Sequence, residues 1–226
     1  MSEQAGPEAD IKPTKETYEQ LQQAYERLNR DLFGGALPNC LITLQRRKGT
    51  YGYFSGDRFA RTDGQPTDEI ALNPAHFRRP LPEILATLAH EMVHLRQHHF
   101  GKPGRGRYHN KEWAGWMKDI GLQPTASGEA GGGETGDRII HLIVEGGPFD
   151  LAAGKFLARG FAITWTEKPP SDEPPGETGG EDGGETESKS GKRVKYLCPQ
   201  CDLKAWARHE ARLLCGVHML PMEPAT

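Results

Sequence analysis

The sequence predicts an α+β fold with a small satellite module at its C-terminal end. Three observations lead there. Apolar residues spaced by three and four between Tyr18 and Leu32 mark an amphipathic helix. Three short apolar runs between Leu41 and Leu72 are punctuated by glycines, as the strands of a small sheet are. Two more helical patterns follow before residue 122. Strands and helices thus fall in separate runs, the arrangement of an α+β domain rather than of alternating βαβ units.

Taken in order, residues 1–12 are polar and read as a disordered tail. Thr14 stands where a helix cap is expected, Tyr18, Leu21, Tyr25, Leu28 and Leu32 line one face, and Gly34-Gly35 stop the helix. The strand candidates are Leu41 to Gln45, Tyr51 to Phe54 and Glu69 to Leu72, bounded by Gly49, Gly56 and Gly64 and closed by Asn73-Pro74. A second helix runs from Pro82 to about His99, and a third from about Asn110 to Ile120. Its stripe of Trp113, Trp116, Met117 and Ile120 favours core over a base-stacking platform. These elements delimit a domain at 13–122. Residues 123–137 are a Gly-rich loop, and 138–167 read as strand, Gly-Gly-Pro turn, short helix and strand, an extension that completes the fold or shapes a cleft. Residues 168–192 hold no large apolar side chain and predict a disordered acidic linker, because they cannot bury enough surface to offset their ordering entropy. A compact module at 193–222 closes the chain.

The net charge of −3, from 28 basic and 31 acidic residues, hides a division. Residues 171–189 contain seven acids and one lysine, whereas residues 39–118 carry thirteen Lys or Arg against seven acids, and residues 189–218 seven against two. The foldable parts are basic. Eleven of the 28 glycines lie in 127–137 and 171–191, so the glycine surplus belongs to a loop and a linker. Hydrophobic content of 35% fits the modest core of one domain with a satellite. No apolar run approaches the roughly 18 residues of a membrane span, and the acidic start MSEQAGPEAD is unlike a signal peptide. A cytoplasmic chain is expected, and reducing conditions there argue against a disulfide framework. Lone Cys40 reads as a small buried apolar residue.

The second helix contains His90-Glu91-Met92-Val93-His94. At about 100° per residue, His94 falls about 40° and Glu91 about 100° round from His90, while Leu85, Leu88, Met92 and Leu95 occupy the opposite side. One face can enter the core while two imidazoles, one turn apart, point at a common cation with Glu91 beside them. This suits zinc with a third protein ligand and a fourth position for water, from which Glu91 takes the proton that it passes to a leaving amine. His98 is about 12 Å along the axis from His90, too far to share that ion. The longer spacing His-Glu-x-x-His-x-x-Gly-x-x-His fails, because Gln97 and Phe100 occupy the Gly and His positions. His109, after the chain-reversing GKPGRGRY, is the expected third ligand, with Glu112 one turn later as the alternative. His76, His98, His99 and His141 are expected to be surface or structural histidines.

Near the C-terminus, Cys198-Pro-Gln-Cys201 and Cys215-Gly-Val-His218 form two knuckles thirteen residues apart. Each pair can wrap one side of a tetrahedral ion, and Gly216 permits the second turn. Thirty residues cannot build a core, so a structural zinc would supply the folding free energy. Lys192, Arg193, Lys195, Lys204, Arg208 and Arg212, with Tyr196 and Trp206 among them, suit single-stranded or distorted nucleic acid: charge for phosphates, rings for bases.

The sequence LNRDLFGGALP on the first helix, TYGYF in the basic hairpin, DEIALNP, PEILATLAHEMVHLRQ and, after the glycine loop, YHNKEW resembles the SprT-like metalloprotease domain, the family that includes the DNA–protein crosslink protease Spartan. The resemblance spans about residues 14–122, and the pairing of HEMVH with YHNKEW is its most specific part. It implies a zincin-like metalloprotease domain with His90, His94 and His109 as ligands of a catalytic zinc and Glu91 as the catalytic acid/base. It further implies DNA as activator and DNA-bound or DNA-crosslinked proteins as substrates. The cysteine module resembles the zinc ribbon of bacterial SprT-like proteins, with His218 in place of the usual last Cys. A bacterial-type member is implied, since the recruitment motifs of eukaryotic members for ubiquitin and the replication clamp are not recognisable. Two other readings compete: a nucleic-acid-binding zinc regulator whose protease-like domain does not turn over, which leaves Glu91 without a purpose, and a protease indifferent to DNA.

Overall fold

The structure is a computed structural model that describes residues 11–168, 194–201, 203–207 and 211–224. The N-terminal tail up to residue 10 and the acidic linker from 169 lie outside the described residues. The chain divides into two units, within 1–171 and 172–226.

The first unit is mixed α/β. Helix α1 (Pro13–Phe33) starts one residue before Thr14, with Pro13 at its first position and Lys12 as an N-cap that makes no side-chain cap bond. Proline serves there because the first-turn N–H has no intrahelical partner anyway, and its φ is already helical. Leu21, Tyr25 and Leu28 are buried as their spacing requires, while Tyr18 stays 43% exposed. Gly34 ends the helix at φ +63°, a conformation that glycine adopts without a Cβ clash. The Tyr25 hydroxyl donates to the Pro38 carbonyl, tying the turn back onto the helix.

Strands β1 (Leu41–Leu44), β2 (Gly52–Ala60) and β3 (Pro66–Leu72) form a sheet in the order β1-β3-β2, with β1 parallel and β2 antiparallel to β3. β2 does not stop at Gly56 as its sequence suggests. It continues through a register shift between Ser55 and Phe59, and Asp57 at the shift has φ +49°. Three residues of β2 there face one of β3, and the two extra residues of this bulge bend the strand and re-aim its side chains. Asn73 ends β3: its side-chain amide donates to the carbonyls of Arg47 and Thr50, both at 2.9 Å, and so holds the basic β1–β2 loop against the sheet.

Helix α2 (Leu81–Phe100) crosses the sheet and is buried over most of its length, with Leu85, Leu88, Met92 and Leu95 at its core face. Burying an aliphatic side chain of this size stabilises by roughly 1.5–3 kcal/mol, so this stripe anchors the helix. Asn110 caps α3 (Lys111–Asp119), accepting from the Trp113 amide at 3.0 Å. Trp113 is fully buried.

The stretch after α3 completes the fold. β4 (Leu122–Thr125) pairs antiparallel with β5 (Ile140–Ile143), and α4 (Pro148–Leu157), whose Phe149 is fully buried, packs on α1 and α2. Pro124 in β4 obscures that strand in the sequence, since proline cannot donate to a ladder. The second strand expected in this stretch does not form: residues 161–168 are irregular and are pinned to α1 by Thr164 on Gln20 and by the Trp165 indole N–H on Glu16, the latter at 2.7 Å. The second unit is a three-stranded sheet, order β7-β6-β8, of β6 (Val194–Leu197), β7 (Lys204–Ala207) and β8 (Glu223–Pro224). Among the described residues, no helix is long and apolar enough to cross a membrane.

Candidate metal centres

The structure brings His90, His94 and His109 together, with one ring nitrogen from each lying within 4.8 Å of the others. His90 and His94 follow from one turn of α2. His109 arrives through a loop that hydrogen bonds hold at both ends. Buried Gln97 donates to Asn110 at 2.9 Å and to Glu112 at 2.8 Å, the Lys102 amide donates to the same Glu112 oxygen at 2.8 Å, and Asn110 donates to the Lys102 carbonyl at 2.9 Å. Glu112 is therefore spent on this staple and is not the third member of the cluster. These amide bonds hold its carboxyl below the usual carboxylate range.

Trp113 packs under all three rings, with centroid distances of 4.8, 5.1 and 4.2 Å to His90, His94 and His109. The tautomer of His109 is set by its own bond: Nδ1 lies 2.9 Å from the Gly136 carbonyl, which can only accept, so Nδ1 carries the proton and Nε2 presents a lone pair. Gly136 comes from the 127–137 loop and exchanges backbone bonds with His109 in both directions.

One histidine of this centre meets a side chain that the sequence does not place there. His90 Nδ1 lies 3.1 Å from Nδ1 of His141 on β5. A proton shared on that bond from His90 leaves its Nε2 free as a ligand. Of the surface and structural roles expected for His141, the structure gives it the structural one, and the one sequence signal for it is a lone polar residue interrupting the apolar run IIHLIV. His94 Nε2 faces His109 Nε2 at 3.1 Å. Tetrahedral zinc with Zn–N near 2.05 Å sets its ligand nitrogens about 3.3 Å apart, so the pair is already at the spacing that such an ion needs.

Burial shapes the ionisation of the site. It holds His90 well below its ordinary value, with His141 adding to the effect, and pushes His94 down to about 3 and His141 to about 4. Neutral imidazoles are what a metal requires. Burial also pushes Glu91 up to about 8, against one backbone N–H from Phe54 of β2 that favours its ionised form. Gly52 makes that approach of β2 to α2 possible: a Cβ there would lie 2.9 Å from the Ala71 carbonyl, 3.2 Å from Thr87 and 3.4 Å from Glu91.

The second unit gathers Cys198, Cys201, Cys215 and His218 within the same 4.8 Å limit. His218 Nδ1 is 3.6 Å from Cys198 Sγ and 3.7 Å from Cys215 Sγ, and the sulfurs of Cys201 and Cys215 are 3.9 Å apart. A tetrahedral ion with Zn–S near 2.3 Å calls for about 3.6 Å between S and N and about 3.8 Å between sulfurs. Backbone amides of His218 and Val217 aim at Cys215 and push its thiol down to about 6, and the Gln200 amide lowers Cys198 in the same way. Tyr196, expected among the stacking rings, is buried and accepts from the Ala211 amide, whereas Trp206 is 59% exposed opposite Lys195. Lys192, Arg193 and Arg208 lie outside the described residues.

The sequence model of the SprT-like family matches residues 21–129. The chain is also similar to the "uncharacterized protein in mucB 3'region" of Salmonella typhimurium, 58% identical over 59 residues that make up 26% of this chain and 80% of that protein. No solved structure matches. The family match covers every element that positions the three histidines, apart from the Gly136 turn and β5, and on that ground the chain belongs to the SprT-like family.

Proposed function

We propose that the first unit is a zinc endopeptidase that cleaves proteins bound or crosslinked to DNA, and that the second is a structural zinc ribbon that engages the DNA. The observation that carries the catalytic half is the His94–His109 pair, a half-buried and a buried imidazole whose nitrogens stand at ligand spacing beside a buried Glu91. His90, His94 and His109 would hold the ion, which when bound supplies Lewis acidity and lowers the pKa of water. Glu91 holds and moves the proton, accepting it at its carboxylate and delivering it to the departing amine nitrogen. Its burial and the Phe54 amide keep it poised near neutral pH. Four protein donors fill the second centre, so that ion orders the small unit and does no chemistry.

The DNA half rests on charge and exposure. Arg46, Arg47 and Lys48 in the β1–β2 loop and Arg58 and Arg61 along the β2–β3 hairpin are all exposed, as are Lys204, Trp206 and Arg212 in the second unit. Cations of this kind bind phosphates, and an exposed indole stacks on an unpaired base. The test compares wild type with Glu91→Gln on a protein crosslinked to DNA, with and without single-stranded DNA. Zinc-dependent cleavage by wild type alone, stimulated by DNA, is expected. No zinc-dependent cleavage by wild type beyond the level of Glu91→Gln returns the chain to a nucleic-acid-binding zinc regulator, and cleavage indifferent to DNA makes it a general protease.

A further inference from the structure

His98 and His99 end the helix that carries His90 and His94, and the sequence suggests only surface or structural roles for them. The structure turns both toward Asp68 of β3, whose side chain is only 5% exposed. His99 Nε2 lies 2.6 Å from one Asp68 oxygen and His98 Nε2 3.8 Å from the other, while an oxygen of Asp57 lies 3.7 Å from the same His98 nitrogen. We propose that Asp68, His98 and His99, with Asp57 as fourth donor, form a further cation site in the first unit that takes a divalent ion of the zinc class.

Three features of the backbone converge on this point. Gly56 lies against the His98 ring, where a Cβ would stand 2.6 to 2.9 Å from three ring atoms, so only a glycine lets the imidazole lie there. Asp57 takes φ +49°, a left-handed conformation that Asp tolerates better than most residues, and its amide donates to Asp68 at 2.8 Å. The bulge in β2 thereby brings a second carboxylate back over His98. The three imidazole–carboxylate separations, 2.6, 3.7 and 3.8 Å, bracket the roughly 3.3 Å between ligands of a tetrahedral ion at about 2.05 Å, and Asp68, His98 and His99 all present a donor within 4.8 Å of one another.

The donor chemistry selects the ion. Two imidazole nitrogens and two carboxylate oxygens suit zinc, cobalt or nickel, whereas calcium and magnesium take all-oxygen shells. Two carboxylates also match the charge of a divalent cation. The histidine side chains are about a third exposed, at 33% and 35%, so an ion can enter from solvent. Bound there, it would cross-link the last turn of α2 to β2 and β3. β2 is the strand whose Phe54 amide meets Glu91, so the site acts as a clamp on the catalytic helix and its neighbouring strand.

The site does not depend on proteolysis, and zinc alone is the probe. Full-length protein, equilibrated against buffered free zinc and counted by plasma mass spectrometry, is expected to lose one equivalent per chain in the double variant His98→Ala, His99→Ala. In a chain carrying His94→Ala and Cys201→Ala, which weaken the other two centres, zinc is expected to raise the melting temperature, and adding His98→Ala is expected to abolish that rise. An unchanged zinc count in the double variant, or an undiminished rise after His98→Ala, would reduce the cluster to a histidine–aspartate ion pair and overturn the proposal. Asp68→Asn would lose the same equivalent. If that buried change prevents folding, the partly exposed histidines carry the test.

Discussion

His109 Nε2 sits 3.1 Å from His94 Nε2, although fifteen residues and a reversed chain separate them. The Gln97–Asn110–Glu112 staple and the Gly136 carbonyl hold His109 there before any ion binds. His109→Ala is therefore expected to remove one zinc equivalent while leaving the fold intact, with cleavage falling to the level of Glu91→Gln. Zinc counting with far-ultraviolet circular dichroism checks this, and a full complement of zinc in the variant would refute the assignment.

His141 orients His90 without belonging to the cluster of three. Loss of such a supporting partner typically weakens a metal site about 10–100-fold. His141→Ala should weaken zinc binding at the first centre by that factor, measured by competition with a chromogenic chelator, and leave the cysteine centre unaffected. Unaltered affinity at the first centre would count against the positioning role.

Gly52 leaves no room for a methyl group beside the Ala71 carbonyl of β3 and little beside Thr87 of α2. Gly52→Ala is expected to cost about 1–3 kcal/mol, the range for overpacking a tight contact, and to displace Glu91. Urea unfolding measures the first effect and single-turnover cleavage the second.

The chelated protein should be most stable near pH 6.5. His90, His94 and His141 have folded values below the ordinary 6.5, so as pH falls under 6.5 the unfolded chain binds the protons and stability is lost, down to about 4 for His141 and about 3 for His94. Glu91 works in the opposite sense. Its folded value of about 8 exceeds the ordinary 4.5, so the stability it contributes is present below 4.5 and is lost as pH rises through 8. With His109 also lowered by burial, four histidines outweigh one carboxyl below 6.5, and above it Glu91 dominates in the first unit, at up to about 1.4 kcal/mol per pH unit. Unfolding in EDTA between pH 5 and 8.5 should show the maximum, and Glu91→Gln should remove the decline on its alkaline side. An alkaline limb unchanged in the variant would sink this account.

The second unit buries Tyr196, Cys198, Cys215 and Met222 as its core. Four side chains cannot hold a sheet of three short strands without the ion. Cys201→Ala should unfold that unit, seen as loss of the Trp206 environment, and cost one zinc equivalent independently of His94→Ala.

Much of the first centre is legible from spacing alone. His90 and His94 share a face because α-helical geometry repeats at 3.6 residues, and the apolar stripe opposite says which face meets the core. The two cysteine knuckles are legible for the same reason: ligands two residues apart on a turn are local geometry. His109 is legible only in part, because a glycine loop states that the chain reverses but not where it lands. The staple through Gln97 chooses His109 over Glu112, and its partners lie thirteen and fifteen residues away.

What the sequence determined by itself is therefore whatever depends on neighbours along the chain: the α+β order of elements, the His-Glu-x-x-His face, the knuckles and the basic character of the foldable parts. Tertiary structure decided what depends on contacts between distant segments. It turned Gly136 and His141 toward the first centre, ran β2 past Gly56 and set Asp57 over His98, and it hid Tyr196 while leaving Trp206 in solvent. A hydrogen bond of 3 Å between residues fifty apart leaves no periodicity behind it, and only the packed chain brings its partners into range.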